Sequence, residues 1–236
     1  MARRSLFTLA LFSLASLVVL VASPAEGRDA TASACGSQPY AYAGLQSDSR
    51  AHGVEATVVA LRAPTVADGH VAGWIGVGGV DAGPGGKAEW LQTGLASFAP
   101  SNTSRLYYEV AVAGSAPRYV ELDPVVSPGE PHHLAVLELS RRPSWWRVWL
   151  DGRPAGRPIH LPGSHGAWYP QAIAESWNGG TGACNSYAYR FANVKVARKS
   201  GGVWRTLRSS SVFQDPGYRV VQTSHVPRTF LAARAG

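Results

Sequence analysis

Apolar positions along this chain recur with a period of two far more than with a helical period. Short alternating or continuous apolar runs, broken by Gly, Pro and Asp, mark candidate strands at 41–46, 54–61, 71–76, 90–94, 106–112, 118–122, 133–139, 145–150, 172–177, 187–196 and 203–207. Strands of this length and spacing predict an all-β sandwich. In "WWRVWLDGRP" Trp146, Val148 and Leu150 alternate into Asp151-Gly152, a pair suited to the tight turn of a hairpin. "EPHHLAVLELS" reads as the antiparallel partner, joined through a short loop containing Pro143. After Leu207 the pattern fades, so 208–236 is expected to be a loosely attached or disordered tail, leaving 26–207 as the sandwich.

One run obeys neither period. "MARRSLFTLALFSLASLVVLVASPA" has a basic start, a continuous apolar stretch and small residues near its end, the pattern of a secretory signal peptide over 1–25. A secreted protein with no membrane attachment after cleavage is therefore expected. The full chain carries a net charge of +7, which falls to +5 when Arg3 and Arg4 leave with the leader. The surplus is spread as a solvated arginine surface, including Arg141, Arg142, Arg147, Arg153 and Arg157, and no nucleic-acid-binding module is recognisable.

Within the strand pattern, "EWLQTG" places a glutamine in an apolar run, where burial without partners is costly. Alternation puts Trp90 and Gln92 on one face and Leu91 and Thr93 on the other, which assigns Gln92 to a groove and Leu91 to the core.

The ordered blocks "AGWIGVGG", "EWLQTG", "LYYEV", "VSPGE", "QAIAESW" and "YRFANVKV" resemble the glutamic endopeptidases, or eqolisins. Their corresponding blocks run A-G-W-V-G-I-x-G, I-L-Q-T-G, an aromatic strand with a glutamate, S-x-G-D/E, A-E-W-I-V-E and F-A-N-F-G-T-V. The resemblance spans residues 69–196 and implies a concanavalin A-like jelly roll of two antiparallel sheets. It also implies a glutamine that stabilises an oxyanion and a glutamate that serves as general base and then general acid. The family's tryptophan falls on Trp74 and its glutamine on Gln92. Laid without gaps on Pro170 to Glu175, A-E-W-I-V-E puts its first acid on Gln171 and its second on Glu175. If the first is catalytic, the general base is missing. The aspartate that follows Q-T-G in the family is missing too, with Ala96 in its place.

Other chemistries fit poorly. The laminarinase-type E-x-D-x-x-E strand is absent, "GSHG" lacks nucleophile-elbow spacing, and no phosphate loop carries the required lysine. His132 and His133 are adjacent and would point to opposite faces of a strand, so no metal site is expected, and no cofactor. Aromatics are abundant, among them Trp74, Trp90, Tyr107, Trp145, Trp149, Trp168, Tyr169 and Trp177; those sharing a face with Gln92 or Gln171 would line a concave sheet.

The sequence thus predicts a secreted, monomeric jelly roll that binds an extended extracellular polymer, glycan or polypeptide, on a surface carrying Trp74, Trp90, Glu109 and Gln171. The alternative is an acid-active endopeptidase using Gln92 with Glu175, or with Glu109. The two cysteines, Cys35 and Cys184, are expected to form one disulfide. Closing a loop of about 150 residues, it would contribute up to about 5 kcal/mol. Alkylation of the unreduced protein should leave both cysteines unlabelled by mass spectrometry; labelling of both would refute the bridge.

Overall fold

The alternation of the sequence becomes two sheets facing each other across one core. The computed structural model describes residues 38–224 and 228–235. The expected signal peptide and Cys35 lie outside the described residues; Cys184 is not a free thiol. Among the described residues there is no α-helix, and fifteen strands pair antiparallel throughout.

The first sheet runs, edge to edge, β13 (Ser210–Gln214), β1 (Tyr40–Ser47), β10 (Gln171–Trp177), β3 (His70–Gly79), β4 (Glu89–Phe98), β5 (Ser104–Ala111) and β6 (Arg118–Val126). The second runs β14 (Tyr218–Ser224), β15 (Thr229–Arg234), β11 (Ala188–Ala197), β2 (Gly53–Ala60), β7 (His132–Glu138), β8 (Trp145–Leu150) and β9 (Arg153–His160), with β12 (Trp204–Thr206) beside β11. The expected all-β jelly-roll sandwich is the observed architecture.

Inward-facing residues of both sheets form the core. Leu45, Ile75, Leu91, Leu95 and Leu106 of the first sheet belong to the same buried cluster as Val58, Leu134, Val136, Trp146 and Phe191 of the second. Burying each such aliphatic side chain stabilises the fold by about 1.5–3 kcal/mol. A smaller cluster of Ala72, Trp74, Ala96, Tyr107 and Ile173 lies on the opposite face of the first sheet. The β8–β9 hairpin turns at Asp151 and Gly152, with φ of 49° and 78°, the left-handed pair that a two-residue hairpin turn demands.

A buried carboxylate braces three connections. Glu138, fully buried at the end of β7, accepts hydrogen bonds from the Ser144 backbone N–H (2.6 Å), from His52 Nδ1 (2.6 Å) and from His165 Nδ1 (2.7 Å). The loops before β2, before β8 and before β10 are thereby tied to one point.

The tail corrects the expectation from sequence. The described residues of segment 208–236 are not a loose appendage, because β13 pairs with β1, β15 pairs with β11, and β14 pairs with β15. The domain therefore runs past 207 to the end of the described chain. Phe230 is fully buried and stacks on Phe191 at 4.7 Å, while Tyr218 stacks on Tyr187 at 5.0 Å and donates from its hydroxyl to the Asn185 carbonyl. β13 and β14 are edge strands, and β13 is largely exposed with few apolar residues to mark it, whereas β15 lies inside its sheet with Phe230, Ala232 and Ala233 buried. Phe230→Ala should lower unfolding stability by about 3–5 kcal/mol in urea titration, the cost of emptying a core aromatic site; a change under about 0.5 kcal/mol, that of an ordinary surface substitution, would restore the loose tail.

Candidate functional site

Period-two alternation gives the first sheet two unlike faces. On β4, Leu91 and Leu95 point into the core while Trp90, Gln92, Ala96 and Phe98 point outward; on β10, Ala172 and Ala174 point inward while Gln171, Ile173 and Glu175 point outward. The outward face carries a groove of about 540 Å³. All six residues singled out from sequence line it: Trp74, Trp90, Gln92, Glu109, Gln171 and Glu175. Leu91 and Ala172 are in the core, as alternation requires.

Register sets the geometry. Gln46, Gln171, Gly76, Gln92, Glu109 and Tyr119 are cross-strand neighbours in one row over β1, β10, β3, β4, β5 and β6. With strands about 4.8 Å apart, Gln92 and Gln171 stand about 10 Å from each other, either side of β3. Between them is Gly76, where a Cβ would come within 2.8 Å of the Gln92 Cβ. The absence of a side chain there opens the floor between the two amides. Gln92 Nε2 donates to the Tyr107 hydroxyl at 3.3 Å, and Gln171 Nε2 to Gln46 Oε1 at 2.9 Å.

The two carboxylates occupy different rows. Glu109 is the direct cross-strand neighbour of Gln92 and accepts from Trp90 Nε1 at 3.2 Å. Glu175, only 9 % exposed, accepts from Trp74 Nε1 at 3.0 Å and lies 3.2 Å from His70 Nε2. Four residues along β10 and two strands across put it roughly 16 Å from Gln92 between Cα positions. The pairing of Gln92 with Glu175 considered from sequence is therefore not a facing pair, although both line the same groove. The carboxyl beside Gln92 is Glu109, on the adjacent strand; across the groove stands an amide.

Burial, and then the nearby Glu175 charge, raise the Glu109 carboxyl above the usual glutamate range. Burial likewise pushes the Tyr119 hydroxyl to about 12 and raises Tyr42 and Tyr107, so these rings act as neutral O–H groups. Among the described residues neither Glu109 nor Glu175 is paired with a lysine or arginine; Arg105, cross-strand from Ala96, is engaged with Glu121 at 2.8 Å.

Further lining residues, Tyr42 and His70, share parity with known groove positions on β1 and β3 and are legible by alternation alone. Phe213 comes from β13, which carries no such signal. Away from the groove, His52, Glu138 and His165 bring three potential metal ligands within 4.8 Å of one another. Their N···O separations of 2.6 and 2.7 Å are hydrogen-bond lengths, shorter than the ~3.3 Å between donors on a tetrahedral zinc with bonds of about 2.0–2.1 Å. The cluster is a hydrogen-bonded brace in this structure. His132 is buried and His133 exposed, on opposite faces of β7.

The fold is that of the glutamic peptidases, a concanavalin A-like double sheet. No family model and no curated protein matches the sequence. Among solved structures, scytalido-glutamic peptidase with a peptide-based transition state analog superposes with a TM-score of 0.58 at 18% identity, over 83% of this chain and 98% of that one. SCP-B, an eqolisin in complex with the tripeptide Ala-Ile-His, superposes with a TM-score of 0.50 at 16% identity, over 84% and 98%. At these identities the likeness establishes the fold alone.

The raised Glu109 carboxyl has a consequence for stability. The folded protein holds this proton to higher pH than the unfolded chain, whose glutamates titrate near about 4.3. Stability is therefore lost as pH rises from that value through the folded one, and the penalty persists above it. Glu109→Gln keeps an acceptor for Trp90 and removes the charge. The variant should match wild type near pH 3 and exceed it in denaturant midpoint near pH 7; equal midpoints at both would refute the burial penalty.

Proposed function

We propose that this chain is a secreted, monomeric, non-hydrolytic binding domain that holds an extended polypeptide along the groove of its seven-stranded sheet. The observation that carries this reading is Gln171 standing across Gly76 from Gln92, where the glutamic-peptidase pattern has a carboxylate. Neither amide can take a proton from an attacking water, so peptide-bond hydrolysis lacks its general base. Binding loses nothing by the exchange. Each amide offers both a donor and an acceptor, which suits the alternating N–H and C=O groups of an extended chain. The aromatic lining, Trp74, Trp90 and Tyr42 among it, supplies apolar area for side chains between those polar contacts. The peptide-based analog and the tripeptide bound to the two glutamic peptidases support a polypeptide over a glycan as the occupant.

One observation favours a second reading, an acid-active endopeptidase. Glu109 adjoins Gln92, and burial raises its carboxyl above the usual glutamate range.

Digestion of denatured protein substrates across pH 2–5 separates the two. Wild type should show no turnover above background, and Gln171→Glu should gain acid activity, since general acid–base catalysis contributes about 10²–10⁴-fold. Cleavage by wild type that Glu109→Gln or Glu175→Gln abolishes would put the endopeptidase reading first. Absence of binding to unstructured polypeptides, with binding to soluble polysaccharides instead, would exchange the polypeptide for a glycan.

A further inference from the structure

Beside the Gln92–Gln171 row the groove deepens into a cavity of about 320 Å³. Its floor includes two cross-strand alanines, Ala72 on β3 and Ala96 on β4, whose small methyl groups leave room above the sheet at that point. The rings of Phe98, Tyr107 and Tyr119 wall it: Phe98 meets Tyr119 edge-on at 5.4 Å, and Tyr119 stacks on Tyr107 at 5.0 Å. Glu109 and Glu175 form the remaining wall with His70. We infer that this cavity is a subsite for a basic side chain, lysine or arginine, of the bound polypeptide; the inference rests on the polypeptide reading above.

Three features converge on a cation. The first is shape: a cavity with a small-residue floor opening from the groove has room for one long side chain, and the aliphatic stem of a lysine or arginine would lie against Phe98 and the alanines. The second is the aromatic wall, since ring faces attract an ammonium or guanidinium group. The third is uncompensated charge. Indole N–H groups, Trp90 on Glu109 and Trp74 on Glu175, orient both carboxylates without neutralising them, and the one basic group at the wall is the His70 imidazole, 3.2 Å from Glu175, which carries charge only when protonated. No lysine or arginine lines the cavity, on a chain whose net charge is +7. Placing two carboxyls in a shared, partly buried space with no lysine or arginine beside them is costly, and the raised Glu109 carboxyl reports that cost. A ligand cation between them would relieve it. A neutral aliphatic side chain would fill the space and leave both charges less solvated, and an acidic one would add a third negative charge.

Isothermal titration of the purified protein at pH 7 tests this directly. The probes are capped alanine-based pentapeptides carrying lysine, arginine, norleucine or glutamate at the central position, together with Nα-acetyl-lysine methylamide and Nα-acetyl-norleucine methylamide. Lysine and arginine peptides should bind at least tenfold more tightly than the norleucine peptide, and the glutamate peptide more weakly still. The lysine-over-norleucine preference should fall below threefold in Glu175→Gln, which keeps an acceptor for Trp74, and in Ala96→Leu, which fills the cavity. Equal affinity for lysine and norleucine peptides in wild type overturns the subsite and leaves the polypeptide groove standing. Binding of the lysine methylamide but of no peptide supports the subsite and overturns the polypeptide reading. Binding of no probe overturns both.

Discussion

Register between β10, β3 and β4 is the constraint on which the site depends. Side chains on a strand alternate faces, so a slip of one residue in either pairing would send Gln92 or Gln171 into the core and bring Leu91 or Ala172 out into the groove. What resists the slip is the core itself. Leu91, Leu95, Ile75 and Ala172 all sit in the inter-sheet cluster against the second sheet. Exposing several of them would cost several times the 1.5–3 kcal/mol of one buried aliphatic side chain, roughly the whole stability margin of a domain. The row Gln46–Gln171–Gly76–Gln92–Glu109 is therefore held by residues that never touch a ligand.

The same constraint explains how the groove tolerates its polar groups. Glu175 is nearly buried, yet its partners are an indole N–H and an imidazole rather than a lysine or arginine. Indole donors lie in fixed positions on strands whose register the core determines, so they hold the carboxylates at defined points without cancelling their charge. The tyrosines around them are kept protonated by burial and add O–H groups rather than further negative charge. The result is a surface rich in donors, acceptors and rings, as the proposed binding role requires.

Most of this architecture is legible in the sequence because the buried strands write it twice, once in apolar alternation and once in the turns that bound them. Trp90, Gln92 and Leu91 could be assigned to opposite faces from alternation alone. Two of the parts that stayed hidden, β9 and β13, lie exposed at sheet edges. β9 reads "RPAGRPIH" and is mostly solvent-facing, with prolines at positions where an edge strand can dispense with a donor. β13 reads "SSVFQ" and owes its place to hydrogen bonds with β1, not to an apolar face. β15, inside its sheet between β14 and β11, buries Phe230, Ala232 and Ala233, but its apolar run "FLAA" is too short to show a period of two. The candidate site was legible in its members, while its geometry was not. That Glu109, not Glu175, adjoins Gln92 follows from strand order, which alternation does not encode.

The amide at 171 is the residue on which catalysis and recognition part. A hydrolytic site needs a group that takes a proton and returns it, whereas a binding site needs donors and acceptors at fixed spacing. Gln171 meets only the second need, and its bond to Gln46 places it in a row of amides rather than beside an acid. Glu109 could meet the first need only from the same side of the groove as Gln92. A substrate carbonyl gripped by Gln92 would then have oxyanion donor and base on neighbouring strands, both reaching it from one flank, instead of confronting each other across the open floor at Gly76. General-base catalysis requires the carboxylate within hydrogen-bond reach of a water aligned on the scissile carbon, with the oxyanion turned toward the donor. On the proposed binding reading, the row offers an extended chain donors and acceptors at fixed spacing, and no carboxylate faces Gln92 across Gly76.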